Sequence, residues 1–125
     1  MALGRVLIVE NEDDVRRMVK MDLMKAGFDV IEAEDGEKAM KFVQSSENPS
    51  TLDAIICDLA TPKVGGIEAI AYFRSQFPSA AMIVLSSAEI ADKPRLYKQG
   101  VAALVVKPIA PEKLTAEVAS FMIVT

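Results

Sequence analysis

Ala54-Ile55-Ile56-Cys57-Asp58-Leu59-Ala60-Thr61-Pro62-Lys63-Val64-Gly65-Gly66 decides how this chain is read. Ala54 to Cys57 is a short apolar run of the kind a buried parallel strand carries. The run stops at Asp58. Thr61-Pro62 and Gly65-Gly66 then break the strand and turn the chain. An acidic side chain is thereby delivered to the end of a strand, where open α/β sheets place their ligands. A strand followed by a helix-capping aspartate accounts for this stretch equally well, so the other strand ends must be weighed with it.

Four further apolar runs share the pattern. Arg5 to Val9 reads as the first strand and ends in Glu10-Asn11-Glu12-Asp13-Asp14. Asn11 through Asp14 can cap a helix and complement its dipole. That helix runs to about Ala26, with Val15, Met18, Val19, Leu23 and Ala26 as its buried face and Gly27 as its C-cap. Met18, Met21 and Met24 read as core and helix-surface residues, not as a ligand site. Phe28 to Ala33 is the second strand, Asp35-Gly36 a turn, and Ala39, Phe42 and Val43 face a second helix inward. Ser45 to Ser50 is a loop, and Leu52 to Cys57 the third strand. Ile67, Ile70, Phe73 and Phe77 line a third helix, stopped by Pro78.

Ala81 to Leu85 is the fourth strand, ending in Ser86-Ser87. Asp92-Lys93-Pro94 starts a short fourth helix that reaches Gln99-Gly100. Ala102 to Val106 is the fifth strand, ending in Lys107-Pro108. Pro111 opens a fifth helix with Leu114, Val118, Phe121 and Met122 inward. Five apolar strands alternating with five helical patterns are the sequence form of a doubly wound parallel α/β sheet. No repeat, low-complexity stretch or linker interrupts the 125 residues, which fit a single domain spanning 1–125.

Composition removes several classes of function. The net charge of −4 argues against direct nucleic-acid binding and against an anionic membrane surface. No apolar run approaches the roughly 20 residues of a membrane span, and the amino-terminal run is too short for a secretory signal. The lone cysteine, Cys57, excludes an internal disulfide and a multi-cysteine metal site, so a reducing, cytoplasmic setting is expected. There is no histidine, hence no Ser-His or Cys-His catalytic unit and no imidazole metal ligand.

The carboxyl ends of the strands offer Glu10 and Asn11, Asp58, Ser86 and Lys107, and in such a sheet these ends meet on one edge. A carboxylate can be a nucleophile toward phosphorus. Mg²⁺ is bound through carboxylates, waters and phosphate, and phosphoryl transfer needs fixed positive charge at the phosphoryl oxygens. Taken singly, Lys107 reads as a loop lysine, Ser86 as a helix cap and Glu10 to Asp14 as a solvated helix start. Taken together, they make a phosphoryl-transfer site.

The chain resembles the CheY-like receiver domain of two-component response regulators. The matching stretches are Val6 to Glu12 with Val15-Arg16, Ala26 to Val30, Ala33 to Ala39, Asp58 to Pro62, Gly66, Leu85 to Ala88, Gly100 and Val106 to Pro108. Their order and spacing together are specific. The resemblance implies a flavodoxin-like (βα)5 fold with a five-stranded sheet in the order 2-1-3-4-5. It implies that Asp58 accepts a phosphoryl group from a histidine kinase or histidine phosphotransfer protein. Lys107 would contact that group and Ser86 reorient toward it. Mg²⁺ would be held by Glu10, Asn11, Asp58 and the Ala60 carbonyl, and Lys107-Pro108 would be cis.

The resemblance also implies that the surface of the fourth helix, fifth strand and fifth helix switches to bind a partner and supports a homodimer. The output would be a separate protein or a domain beyond this chain. Such a module is no enzyme beyond self-catalysed phosphotransfer and autodephosphorylation. Three departures stand out. The family's acidic pair, usually Asp-Asp, is Glu10-Asn11; Glu12 is a spare carboxylate nearby that matches a glutamate the family often has there. The aromatic switch position is Leu104. Ala60 and Ala88 occupy positions that tune hydrolysis, and neither can hydrogen-bond an attacking water. A degenerate receiver that binds partners without phosphorylation is the alternative. A small phosphohydrolase is a remoter one, because Asp58-Leu59-Ala60-Thr61 lacks the second aspartate of the haloacid-dehalogenase-like motif.

Overall fold

The computed structural model describes residues 3–45, 52–60, 66–87 and 93–122. Five strands, β1 (Arg5–Val9), β2 (Asp29–Ala33), β3 (Ala54–Asp58), β4 (Ala81–Ser86) and β5 (Val101–Val106), form one parallel sheet in the order β2-β1-β3-β4-β5. Helices α1 (Asp13–Lys25), α2 (Gly36–Gln44), α3 (Gly66–Gln76), α4 (Lys93–Lys98) and α5 (Pro111–Ser120) alternate with them. The flavodoxin-like doubly wound architecture expected from the sequence is the one observed.

The alternation of side chains along each strand divides the interior in two. Leu7, Val9, Ile55, Cys57, Met82 and Val84 point to one face, where Ala39 and Val43 of α2, Phe73 of α3 and Leu96 of α4 cover them. Val6, Ile8, Ala54, Ile56, Ile83 and Leu85 point to the other, under Val19 and Leu23 of α1 and Leu114 and Val118 of α5. Between Arg5 at the start of β1 and the polar residues Asp58 and Ser86 that end β3 and β4, the central strands are therefore apolar, since their residues are buried on one face or the other. The edge strands β2 and β5 carry exposed residues. In β5, Ala102 pairs with no residue of β4, because Met82 faces Val101 and Ile83 faces Ala103. This bulge puts Val101 and Ala103 into opposite cores.

Several sequence expectations are corrected. Strand β3 begins at Ala54, later than Leu52, and includes Asp58; β4 likewise includes Ser86, while β2 starts at Asp29 and β5 at Val101. The C-cap of α1 is Ala26, and Gly27 follows it at φ 105°. Met18, Ala26, Ile67 and Phe121, expected to face inward, are exposed, whereas Met21 and Met24 are exposed in keeping with a helix-surface place. On α5 it is Thr115, not Phe121, that is buried with Leu114 and Val118. The expected turns at Thr61-Pro62 and Gly65, the loop at Ser46 to Ser50, and Ala88 and Asp92 lie outside the described residues. Among the described residues, no helix is long and apolar enough to cross a membrane.

Candidate functional site

The site lies at the carboxyl edge of the sheet, where β1, β3, β4 and β5 end beside one another. Backbone hydrogen bonds continue the ladder past the strand ends. Glu10 N–H donates to Ala33 O (3.1 Å), Leu59 N–H to Leu85 O (2.8 Å) and Lys107 N–H to Ser86 O (2.7 Å). The functional side chains thus stand on a fixed backbone and not on free loops. Asp58 and Ser86 are themselves the last residues of their strands, and both are buried. The peptide bond Lys107-Pro108 is cis, as the resemblance implied.

Lys107 is the hub. Its Nζ lies 2.8 Å from Asp58 Oδ2, 2.7 Å from Glu10 Oε1 and 2.7 Å from Glu12 Oε1. The contacts to Asp58 and Glu12 are hydrogen bonds; the approach to Glu10 Oε1 is an ion pair not aligned as one. Asp58 Oδ1 accepts from the Ala60 N–H (2.9 Å). Glu10 Oε2 accepts from the Glu12 N–H (3.1 Å). Oxygens of Glu10, Glu12 and Asp58 lie within 4.8 Å of one another. Asn11, between them in sequence, is exposed.

These contacts set the charges. Burial pushes the Asp58 carboxyl up, but hydrogen bonds from Lys107 and the Ala60 N–H outweigh it and hold the group below its ordinary value. Burial raises the Glu10 carboxyl, and Lys107 only partly offsets this, so Glu10 stays above its ordinary value. Burial disfavours the Lys107 ammonium, yet its carboxylate neighbours hold it well above the usual lysine range. Asp58 is thus an ionised carboxylate at neutral pH, beside a cation that stays charged. The neighbouring Cys57 thiol is fully buried and pushed up to about 12, which makes it inert.

Of the residues expected at the site, Glu10, Asp58 and Lys107 meet directly, and the backbone of Ala60 joins them. Ser86 is tied to Lys107 through its carbonyl. Two participants were underread from sequence. Glu12, treated as a spare, reaches Lys107. Arg16 donates through Nη1 to the Glu10 carbonyl (2.8 Å), through Nε to Glu32 (3.1 Å) and through Nη2 to Asp13 (2.7 Å), which ties the end of β1 to α1 and β2. Its advance signals were its place in the first turn of the helix after β1 and the Val15-Arg16 match to the receiver family, neither of which names its partners.

The family model for the response regulator receiver domain matches residues 6–119. The alkaline phosphatase synthesis transcriptional regulatory protein PhoP of Bacillus subtilis is 30% identical over 94% of this chain and 48% of its own length. The uncharacterized transcriptional regulatory protein YrkP of the same organism is 29% identical over 91% of this chain and 47% of its own. The chain therefore spans about half the length of these relatives. The chemotaxis response regulator CheY4 of Vibrio cholerae superposes with a TM-score of 0.82 at 28% identity, covering 94% of this chain and 98% of that one. A CheY-like receiver domain from Methanospirillum hungatei reaches a TM-score of 0.86 at 18% identity, covering 97% and 94%, and supports the fold. With an acidic residue at the end of β3, a lysine at the end of β5 and the matched sequence between them, the chain belongs to the response regulator receiver domain family.

Proposed function

We propose that this chain accepts a phosphoryl group on Asp58 from a histidine kinase or histidine phosphotransfer protein and uses the resulting charge to alter a binding surface. The observation that carries this is the Asp58 carboxylate itself, buried at the end of β3 and held ionised 2.8 Å from Lys107. These 125 residues hold no histidine, so the donor imidazole lies outside them. An Asp58 oxygen attacks phosphorus and an O–P bond forms. The donor's N–P bond breaks, and the imidazole leaves with the electron pair and takes a proton from solvent. Lys107 holds the nucleophile in place and stands against the developing phosphoryl charge.

The hard oxygen donors and the buried Glu10 Oε1, which accepts no hydrogen bond, suit a divalent cation such as Mg²⁺. Asp58, Glu10 and the Ala60 carbonyl would hold it, with Asn11 offering a neutral amide at most. When bound, Mg²⁺ would neutralise phosphoryl oxygens. Ser86 would donate its hydroxyl to the modified side chain and shift α4, β5 and α5 between two packings. Leu104, partly buried where the family places an aromatic, cannot report this by ring rotation. That surface would then bind the output partner, or a second copy, in the cytoplasm.

The test is intact mass after incubation with acetyl phosphate and Mg²⁺, with Asp58→Asn as control. One phosphoryl mass, about 80 Da, gained by wild type alone is expected. No gain in folded protein would overturn the proposal in favour of a phosphorylation-independent binding module. A second expectation follows from Ala60, exposed two residues after Asp58. Its methyl group cannot hold an attacking water. The acyl phosphate should outlast the removal of acetyl phosphate by minutes or more, and Ala60→Asn should shorten its life. Decay of the wild-type phosphoprotein within seconds would show that water is positioned by something else.

A further inference from the structure

Resting on the phospho-acceptor reading, we infer that Glu12, rather than Asn11, supplies the third side-chain ligand of the divalent-cation site. The carboxylate missing from position 11 is replaced in this role by its neighbour. Glu12 occupies the N-cap position of α1, yet its side chain makes no capping hydrogen bond. Its carboxylate turns the other way, to within 2.7 Å of Lys107 Nζ, and so joins Glu10 and Asp58 around one cation. Asn11 is exposed and brings no charge.

Glu10 supplies the independent observation. Its side chain is wholly buried. The Glu12 N–H fixes Oε2, which leaves Oε1 in the cluster with an ion-pair neighbour and no hydrogen bond. That oxygen is held by the Lys107 charge without an aligned hydrogen bond, and a carboxylate oxygen so placed keeps a lone pair with which to take a metal ion as well. The hydrogen bond from the Glu12 N–H ties Glu12 to Glu10, so the two residues are placed as a unit.

The exchange asked of Glu12 is small. It is the exposed member of the cluster, with 57% of its side chain accessible, and its bond to Lys107 is a surface ion pair of little net strength. It can leave Lys107 for a divalent ion while Asp58 and Glu10, both buried, stay put. Three carboxylates then surround the ion, and Lys107 keeps the two inner ones. The ligand count lost at position 11 is restored without any change in the sheet.

Calorimetric titration with Mg²⁺ tests this in Glu12→Gln, Asn11→Ala and, as a control for general charge, Asp14→Asn. Glu12→Gln is expected to weaken binding by roughly tenfold or more. The other two should lose clearly less. Because Glu12 also touches Lys107, a ligand swap is needed to separate direct from indirect action. Glu12→Cys should lose Mg²⁺ but bind Cd²⁺, seen as a thiolate-to-metal absorption band, while Asn11→Cys should not. The native thiol, Cys57, is buried and inert and gives no background.

Overturning results are a larger loss in Asn11→Ala than in Glu12→Gln, a Cd²⁺ band in Asn11→Cys alone, or no Mg²⁺ binding by wild type. The acetyl phosphate assay on the wild type keeps the two levels apart. Labelling of Asp58 with either of the first two results sinks the role of Glu12 and leaves the phospho-acceptor reading standing. Absence of both labelling and binding sinks both.

Discussion

Replacing Lys107 with alanine should cost about 3–5 kcal/mol of folding stability at neutral pH, the usual penalty for stripping one partner from a buried ion pair. The side chain is only 10% exposed and is the cation shared by Glu10, Glu12 and Asp58. Without it, two buried carboxylates face each other with no counter-charge. Asp58, held below its ordinary value in the native fold, contributes stability above the ordinary carboxylate range and loses it as pH falls through its folded value. Glu10, held above its ordinary value, works in the opposite sense: its contribution is full below that range and fades as pH rises through its folded value. The loss in Lys107→Ala should therefore be greatest near neutrality and shrink in acid, as both carboxylates take up protons. Urea midpoints across pH would show this, and Glu10→Gln in the same chain should recover part of the loss. An unfolding free energy of Lys107→Ala within about 0.5 kcal/mol of wild type would mean that the cluster carries little energy.

The second large effect belongs to a residue without a side chain. A Cβ on Gly66 would stand 2.2 Å from Leu59 O, 2.6 Å from Leu59 Cα and 2.7 Å from Leu59 C. All three are backbone, and Leu59 is anchored to Leu85 by its N–H. No rotamer change relieves the clash, so either the start of α3 or the turn after Asp58 must move. Gly66→Ala should destabilise the fold by about 2–3 kcal/mol or more, as overpacking against a fixed backbone does. It should also slow labelling of Asp58, because the Ala60 N–H that holds Oδ1 sits in the displaced turn. Unchanged stability and labelling in Gly66→Ala would show that the approach of α3 is looser than these distances.

The two effects also mark where sequence was informative. Each central strand is buried on both faces, so its apolar run is continuous and visible, and the residue that ends it marks the carboxyl edge. Glu10, Asp58, Ser86 and Lys107 were legible for that reason. Helix faces were less so. An apolar stripe at three-to-four spacing is wider than the part that touches the sheet, and composition does not separate Val19 from Met18 or Val118 from Phe121. Glu12 was missed because its reach depends on how the turn after β1 aims a flexible side chain. The role of Arg16 was missed because its three-way guanidinium clamp onto β1, α1 and β2 depends on where the folded turns bring Glu10, Asp13 and Glu32. Strand ends at Asp58 and Ser86 were placed one residue early because a polar side chain masked a backbone still in the ladder.

The unpaired Ala102 has a consequence for how the site tolerates change. Upstream of it the chain is counted from α4; downstream, the count runs from the pairing of Ile83 with Ala103 to that of Ser86 with Val106. The extra residue is a slack link between the two. A one-residue change in length before the bulge can be taken up there, leaving Lys107 aimed at Asp58. The same change between Ala103 and Val106 reverses the parity of the strand and sends the ammonium to the wrong face. Variation in chain length is thus harmless on one side of Ala102 and disabling on the other.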